Sequence, residues 1–202
     1  TALAVLDLLR SPAPTVRGQS ASLVATLGPE GAGPAIARAL AAEAKPEVAR
    51  AMLIAAARFP SPEAEGPILR WLAARDLNDD APRDAAIDAA WALYRSGYLR
   101  REESSSQALR DLRAIPIADL SASGCMLRVE LGDRSDRDAI AVLLASSSPA
   151  QRLASAEALV TDATYLPRIL AAAREEPLLI DVSVRGVLTQ DPTVASFIAL
   201  EE

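Results

Sequence analysis

Histidine is absent from this chain, and lysine and cysteine occur once each, at Lys45 and Cys125. Without an imidazole there is no His-dependent triad, none of the common zinc sites and no ordinary general base near neutral pH. A single cysteine excludes an internal disulfide and a Cys-based metal cluster. Aromatic residues make up 3% of the 202 positions. The longest uncharged apolar runs, such as Ala51 to Ala57, fall far short of the roughly 18 residues that a membrane-spanning helix needs.

What the chain does have is alanine throughout and a hydrophobic content of 50%. A core of Ala, Leu, Val and Ile suits closely approaching helices better than a sheet, which favours β-branched and aromatic side chains. The net charge of −6 argues against broad nucleic-acid binding.

A repeat runs through the sequence. "PTVRGQSASLVATLG" (14–28) sets Val16, Ser20, Leu23, Val24 and Leu27 on one predicted helical face. "PEVARAMLIAAARF" (46–59) repeats the pattern through Val48, Met52, Ala55, Ala56 and Phe59. Further copies run through Ile87, Ala90, Trp91 and Tyr94, through Leu120, Gly124, Leu127 and Leu131, through Ser155, Ala158 and Leu159, and through Ile180, Val184, Val187 and Leu188. A second helix follows each of the first five, aligned on Ile36 and Leu40, Ile68 and Leu72, Ala108 and Leu112, Ile140 and Leu144, Leu166 and Leu170. Gly33-Pro34 and Gly66-Pro67 open the first two, where proline pre-sets the backbone of a first turn. The unit is helix, turn, helix, recurring every 30 to 40 or so residues.

The line Val16, Arg17, Ser20, Leu23, Val24, Leu27, Gly28 resembles the hallmark of HEAT repeats, particularly short bacterial HEAT-like units also found in phycobilisome-lyase-type proteins. Elsewhere the arginine slot holds Ala49, Asp84, Ser121, Arg152 and Asp181, so the motif is degenerate. The resemblance implies an all-α fold, an α-α superhelix or solenoid of about five to six helical hairpins, as one repeat domain over 1–202. "ALAVLDLLRSP" (2–12) reads as a second helix without its partner, and "PTVASFIALEE" (192–202) as an apolar final helix. The expectation is therefore a segment of a longer array, or ends that contact something else, self-association included.

Aligning the second helices puts Arg38, Arg70, Arg110 and Arg168 in one slot, which holds Asp7, Val142 and Ser196 in the other copies. The resemblance places second helices on a concave surface, where a row of guanidinium forks would suit carboxylates or phosphates. Alternatively these are good helix formers on a solvated face, neutralised by neighbours such as Glu43 and Asp111. Trp91 occupies a core slot, whereas Trp71, beside Arg70, is either packed or a protruding anchor. Asp76, Asn78, Asp79 and Asp80 lack the spacing of a calcium loop and read as a turn with a helix cap. "RREESSSQ" (100–107) reads as a lengthened inter-helix loop. Ser121, Ser123 and Cys125 have no base to activate them. "GPEGAGP" (28–34) is a repeat turn and not a phosphate loop.

The expectation is a non-catalytic interaction scaffold or adaptor with no cofactor and no metal. It would hold a protein partner, such as an acidic segment, along Arg38, Arg70, Trp71, Arg110 and Arg168. The first alternative is a structural module stacked within a larger assembly. A HEAT-like nucleic-acid-binding or repair protein is a second, weighed against by the acidic balance. A tetrapyrrole lyase or chaperone is a third, for which the usual ligands are missing.

Overall fold

A computed structural model describes residues 2–74, 81–99 and 102–190. The acidic cluster Asp76–Asp80, Arg100 and Arg101, and the expected final helix with Ser196 lie outside the described residues. Among the described residues the fold is all-α: twelve α-helices, four short 3-10 turns and no strand. They fall into two compact units, Thr1–Ala114 and Ile115–Glu202.

The first unit holds α1 (Ala2–Leu8), α2 (Pro14–Leu27), α3 (Ala32–Ala42), α4 (Pro46–Arg58), α5 (Glu65–Leu72), α6 (Ala81–Arg95) and α7 (Glu102–Arg113). Pro14 and Pro46 stand in the first turns of their helices, where a missing N–H costs nothing. Gly28 ends α2 in the left-handed conformation, φ 58°, so its amide reaches the Val24 carbonyl. Successive helices contact in two series: α2 on α4 and α4 on α6, and α1 on α3, α3 on α5 and α5 on α7. Alanines let the first series approach closely, with Ala21, Ala49, Ala55, Ala86, Ala89 and Ala90 wholly buried. Ile36, Leu40, Met52, Leu53, Ile68, Ile87 and Leu112 fill the space between the series, each worth about 1.5–3 kcal/mol of burial.

The second unit holds α8 (Ala122–Leu131), α9 (Arg134–Ala141), α10 (Pro149–Leu159), α11 (Leu166–Ala173) and α12 (Ile180–Gln190). Helix α10 packs on α8 and α9, and α12 packs on α10 and α11. The Ser121 hydroxyl accepts the Gly124 amide at the start of α8, and Asp133 with Asp136 forms a capping box on α9. Serines at the alanine slot are buried by bonding carbonyls: Ser20 Oγ to Val16 O at 2.7 Å and Ser155 Oγ to Ile140 O at 2.8 Å.

Several expected faces are turned. Leu23 and Leu27 are about half exposed, and α2 buries Ser20 and Val24 of the expected face together with Ala21 and Ala25. In α12, Ile180 and Val184 face outward while Val182, Ser183 and Gly186 are buried. In α11 the buried pair is Tyr165 and Ile169, one residue out of the expected frame. Of the two alternatives for Trp71 the packed one holds, at 6% exposed, whereas Trp91, expected in a core slot, is half-buried and stacks on Tyr94 at 5.7 Å. Glu102–Gln107 is not a loop but the opening of α7, with Glu102 and Glu103 at its positive end.

Candidate functional site

The second helices α3, α5 and α7 carry Arg38, Arg70 and Arg110, all with exposed side chains. Their surroundings differ. Arg70 reaches back to the C-terminal end of α3, donating from Nη1 to Ala41 O at 2.9 Å and from Nη2 to Leu40 O at 2.7 Å. A third, longer bond runs from Nη2 to Glu43 O at 3.3 Å. The last turn of a helix leaves carbonyls without partners, and a guanidinium satisfies them while complementing the negative end of the dipole. The same guanidinium carbon lies 5.8 Å from the centroid of the Trp71 ring, so the buried indole serves as its platform. Trp71 packs and does not protrude.

Arg110 donates from Nη2 to Gln107 Oε1 at 2.6 Å, and Gln107 passes Nε2 to Asp111 Oδ2 at 2.7 Å. Asp111 is buried, so this relay satisfies an acid within α7. Arg38 stands near Glu63, whose carboxyl lies below the ordinary range first through the Ser61 hydroxyl and last through the Arg38 charge. In the second unit Arg168 donates from Nη2 to Ala141 O at 3.1 Å, where α9 tightens into a 3-10 turn. Arg70 and Arg168 therefore already hold helix ends, and Arg38 and Arg110 remain the more available positions of the set. Glu43 and Asp111 do not pair with Arg38 and Arg110.

A recurrent device passed unnoticed in the sequence. Arg17 grips Glu43 with Nε to Oε2 at 2.7 Å and Nη2 to Oε1 at 3.0 Å, and its Nη1 bonds Ser11 O at 2.9 Å. Arg152, in the same motif slot, pairs with Glu176 and donates Nη1 to Ser146 O. In both cases the carbonyl lies six residues before the arginine and the acid follows a second helix. The hallmark arginine ties the chain entering a first helix to the chain leaving the next one. The only signal for it was Arg at slots 17 and 152, since the acids lie 26 and 24 residues away.

A cleft of about 500 Å³ opens beside Arg17 between the turn after α1, the start of α2, and α3. Arg10, Arg17 and Arg38 line it against one acid, Glu43, over a floor of Leu9 and Ala39. Burial pushes the Cys125 thiol up to about 11, and no three described His, Cys, Asp or Glu side chains gather as metal ligands. Among the described residues no helix is long and apolar enough to cross a membrane. Compared with protein-family models, curated proteins and solved structures, the chain matches none.

Proposed function

We propose that this chain is a HEAT-like helical-repeat scaffold, a solenoid of helical hairpins that binds a protein partner on its second-helix face and performs no catalysis. The observation that carries this reading is the recurrence of one arginine device, Arg17–Glu43 and Arg152–Glu176, at equivalent points of two helical hairpins. Helices that contact mainly the next member of their own series, as α2, α4 and α6 do, also support it. Nearest-neighbour stacking leaves one face of second helices open, and Arg38 and Arg110 lie exposed on helices of that face. A scaffold of this kind recognises its partner by shape and charge along the array.

The test is affinity capture from the native source at low and moderate salt, with the wild-type chain beside an Arg38→Glu, Arg110→Glu variant of unchanged helicity. Arg70 is left in place because its guanidinium caps α3. A defined protein retained by wild type and released by the variant is the expected result. Retention of the same protein by both baits, or of copies of the bait alone, overturns the assignment of this face.

A further inference from the structure

The cleft beside Arg17 is opposite in sign to the net charge of the chain. The chain carries −6 overall, yet the cleft gathers three arginines against one glutamate. The Arg17–Glu43 pair neutralises itself through two hydrogen bonds. That leaves Arg10 and Arg38, both exposed, as the cleft-wall charges outside that pair, with Glu63 acting on Arg38 through its charge and not as a lining residue. Leu9 and Ala39, 1% and 8% exposed, add an apolar part to the lining. Arg17 further fixes the cleft by holding the Ser11 and Pro12 carbonyls.

We propose that this cleft docks an acidic segment of a partner protein, with Arg10 and Arg38 taking its carboxylates and the Leu9–Ala39 floor taking an apolar side chain between them. The proposal rests on the scaffold reading and narrows it to one class of partner and one pocket. Two guanidinium forks flanking a small apolar floor match a motif in which a leucine-sized residue stands between aspartates or glutamates. A nucleic-acid strand fits poorly, because a polyanion that leaves the cleft meets an acidic protein. Arg10 was not among the residues singled out by the repeat alignment, because it lies in the turn after α1 rather than in a helix slot.

The experiment uses the full chain and a dye-labelled peptide, Glu-Glu-Leu-Asp-Glu-Leu-Glu, followed by fluorescence anisotropy at two salt concentrations. Its Gln and Asn counterpart and a short single-stranded oligonucleotide serve as competing probes. The variants are Arg10→Glu, Arg38→Glu and, as a control on the exposed side of α4, Arg50→Glu, each checked by circular dichroism. The acidic peptide is expected to bind, the amide counterpart not to, and salt to weaken the complex. Arg10→Glu and Arg38→Glu are each expected to lower affinity several-fold, up to about tenfold, with Arg50→Glu unchanged. Absence of acidic-peptide binding, equal binding of the amide peptide, equal loss in Arg50→Glu or tighter binding of the oligonucleotide each overturn the proposal. A captured partner that is released by Arg110→Glu but not by Arg10→Glu overturns the cleft and leaves the scaffold reading standing.

Discussion

Arg17 holds Glu43 through two parallel N–H···O bonds, at 2.7 and 3.0 Å, and the Glu43 side chain is only 2% exposed. Glu43 also accepts the amides of Ala44 and Lys45, at 3.0 and 2.9 Å, so one carboxylate organises the whole turn between α3 and α4. Burial pushes its carboxyl up, but the bonds from Arg17, Lys45 and Ala44 outweigh this and hold it below the ordinary range. Glu176 is lowered as well, first by its bond from Arg152.

These two carboxylates make folding sensitive to acid in a defined direction. Their folded pKa values lie below the unfolded glutamate value of about 4.3, so on acidification the unfolded chain takes up protons first. Their contribution is complete above the unfolded value and is lost as pH falls through the folded one. The urea midpoint is expected to be level from neutrality to about pH 5.5 and to fall below about pH 4.5. Arg17→Met should lower the midpoint at neutral pH and flatten the acid limb. A variant limb as steep as that of wild type would show that Glu43 does not depend on Arg17.

Arg70 closes the end of α3, and its loss frees carbonyls there. Arg70→Met is expected to destabilise by about 1 kcal/mol, measured by urea or thermal unfolding. Arg70→Lys should recover only part, because an ammonium cannot fork across Leu40 O and Ala41 O while lying flat over Trp71. Full recovery by lysine would reduce the role to charge alone.

Gly132 ends α8 with an ordinary negative φ of −91°, so its requirement is space. A Cβ there would collide with the Asp136 carboxylate and lie 2.5 Å from Arg128 O. Asp136 is 1% exposed and takes Arg128 Nε at 3.0 Å, so the collision strikes a buried ion pair. Gly132→Ala is expected to cost about 2–3 kcal/mol, with Gly18→Ala, which meets nothing, as the mild comparison in the same unfolding assay.

Cys125 is fully buried, with its thiol pushed up to about 11. Reaction with a thiol reagent at neutral pH should be slow in the native protein and fast in denaturant. Rapid labelling of the folded chain would mean that α8 opens on the reaction timescale.

How much was legible follows from the range of each cause. Helix positions were local: apolar spacing and proline at the first turn put Val48, Met52, Ala55, Ala56 and Phe59 on one face, of which the first four are buried and Phe59 is half-buried. Leu23 and Leu27 failed the same test because the turned side of α2 depends on where α1 and α4 lie, which periodicity does not encode. Trp91 missed its expected core slot for that reason: Ala85, Ala86, Ala89, Ala90 and Leu93 already occupy the buried sides of α6. The frame of α11 slipped by one residue because Tyr165, just before the helix, is buried and bonds Asp138 Oδ1 at 2.8 Å.

The sequence by itself determined that the chain is helical and that histidine-based chemistry and an internal disulfide are closed to it, since these depend on composition and short-range spacing. Only the tertiary structure decided what each arginine does. Arg17, Arg70, Arg110 and Arg168 are alike as letters, but one grips a buried acid, two cap helix ends and one joins a relay within its own helix. A guanidinium takes its role from the oxygens within its reach. The carboxylate that Arg17 grips and the carbonyls that Arg70 and Arg168 hold lie 26 to 30 residues away along the chain, so folding alone brings them together.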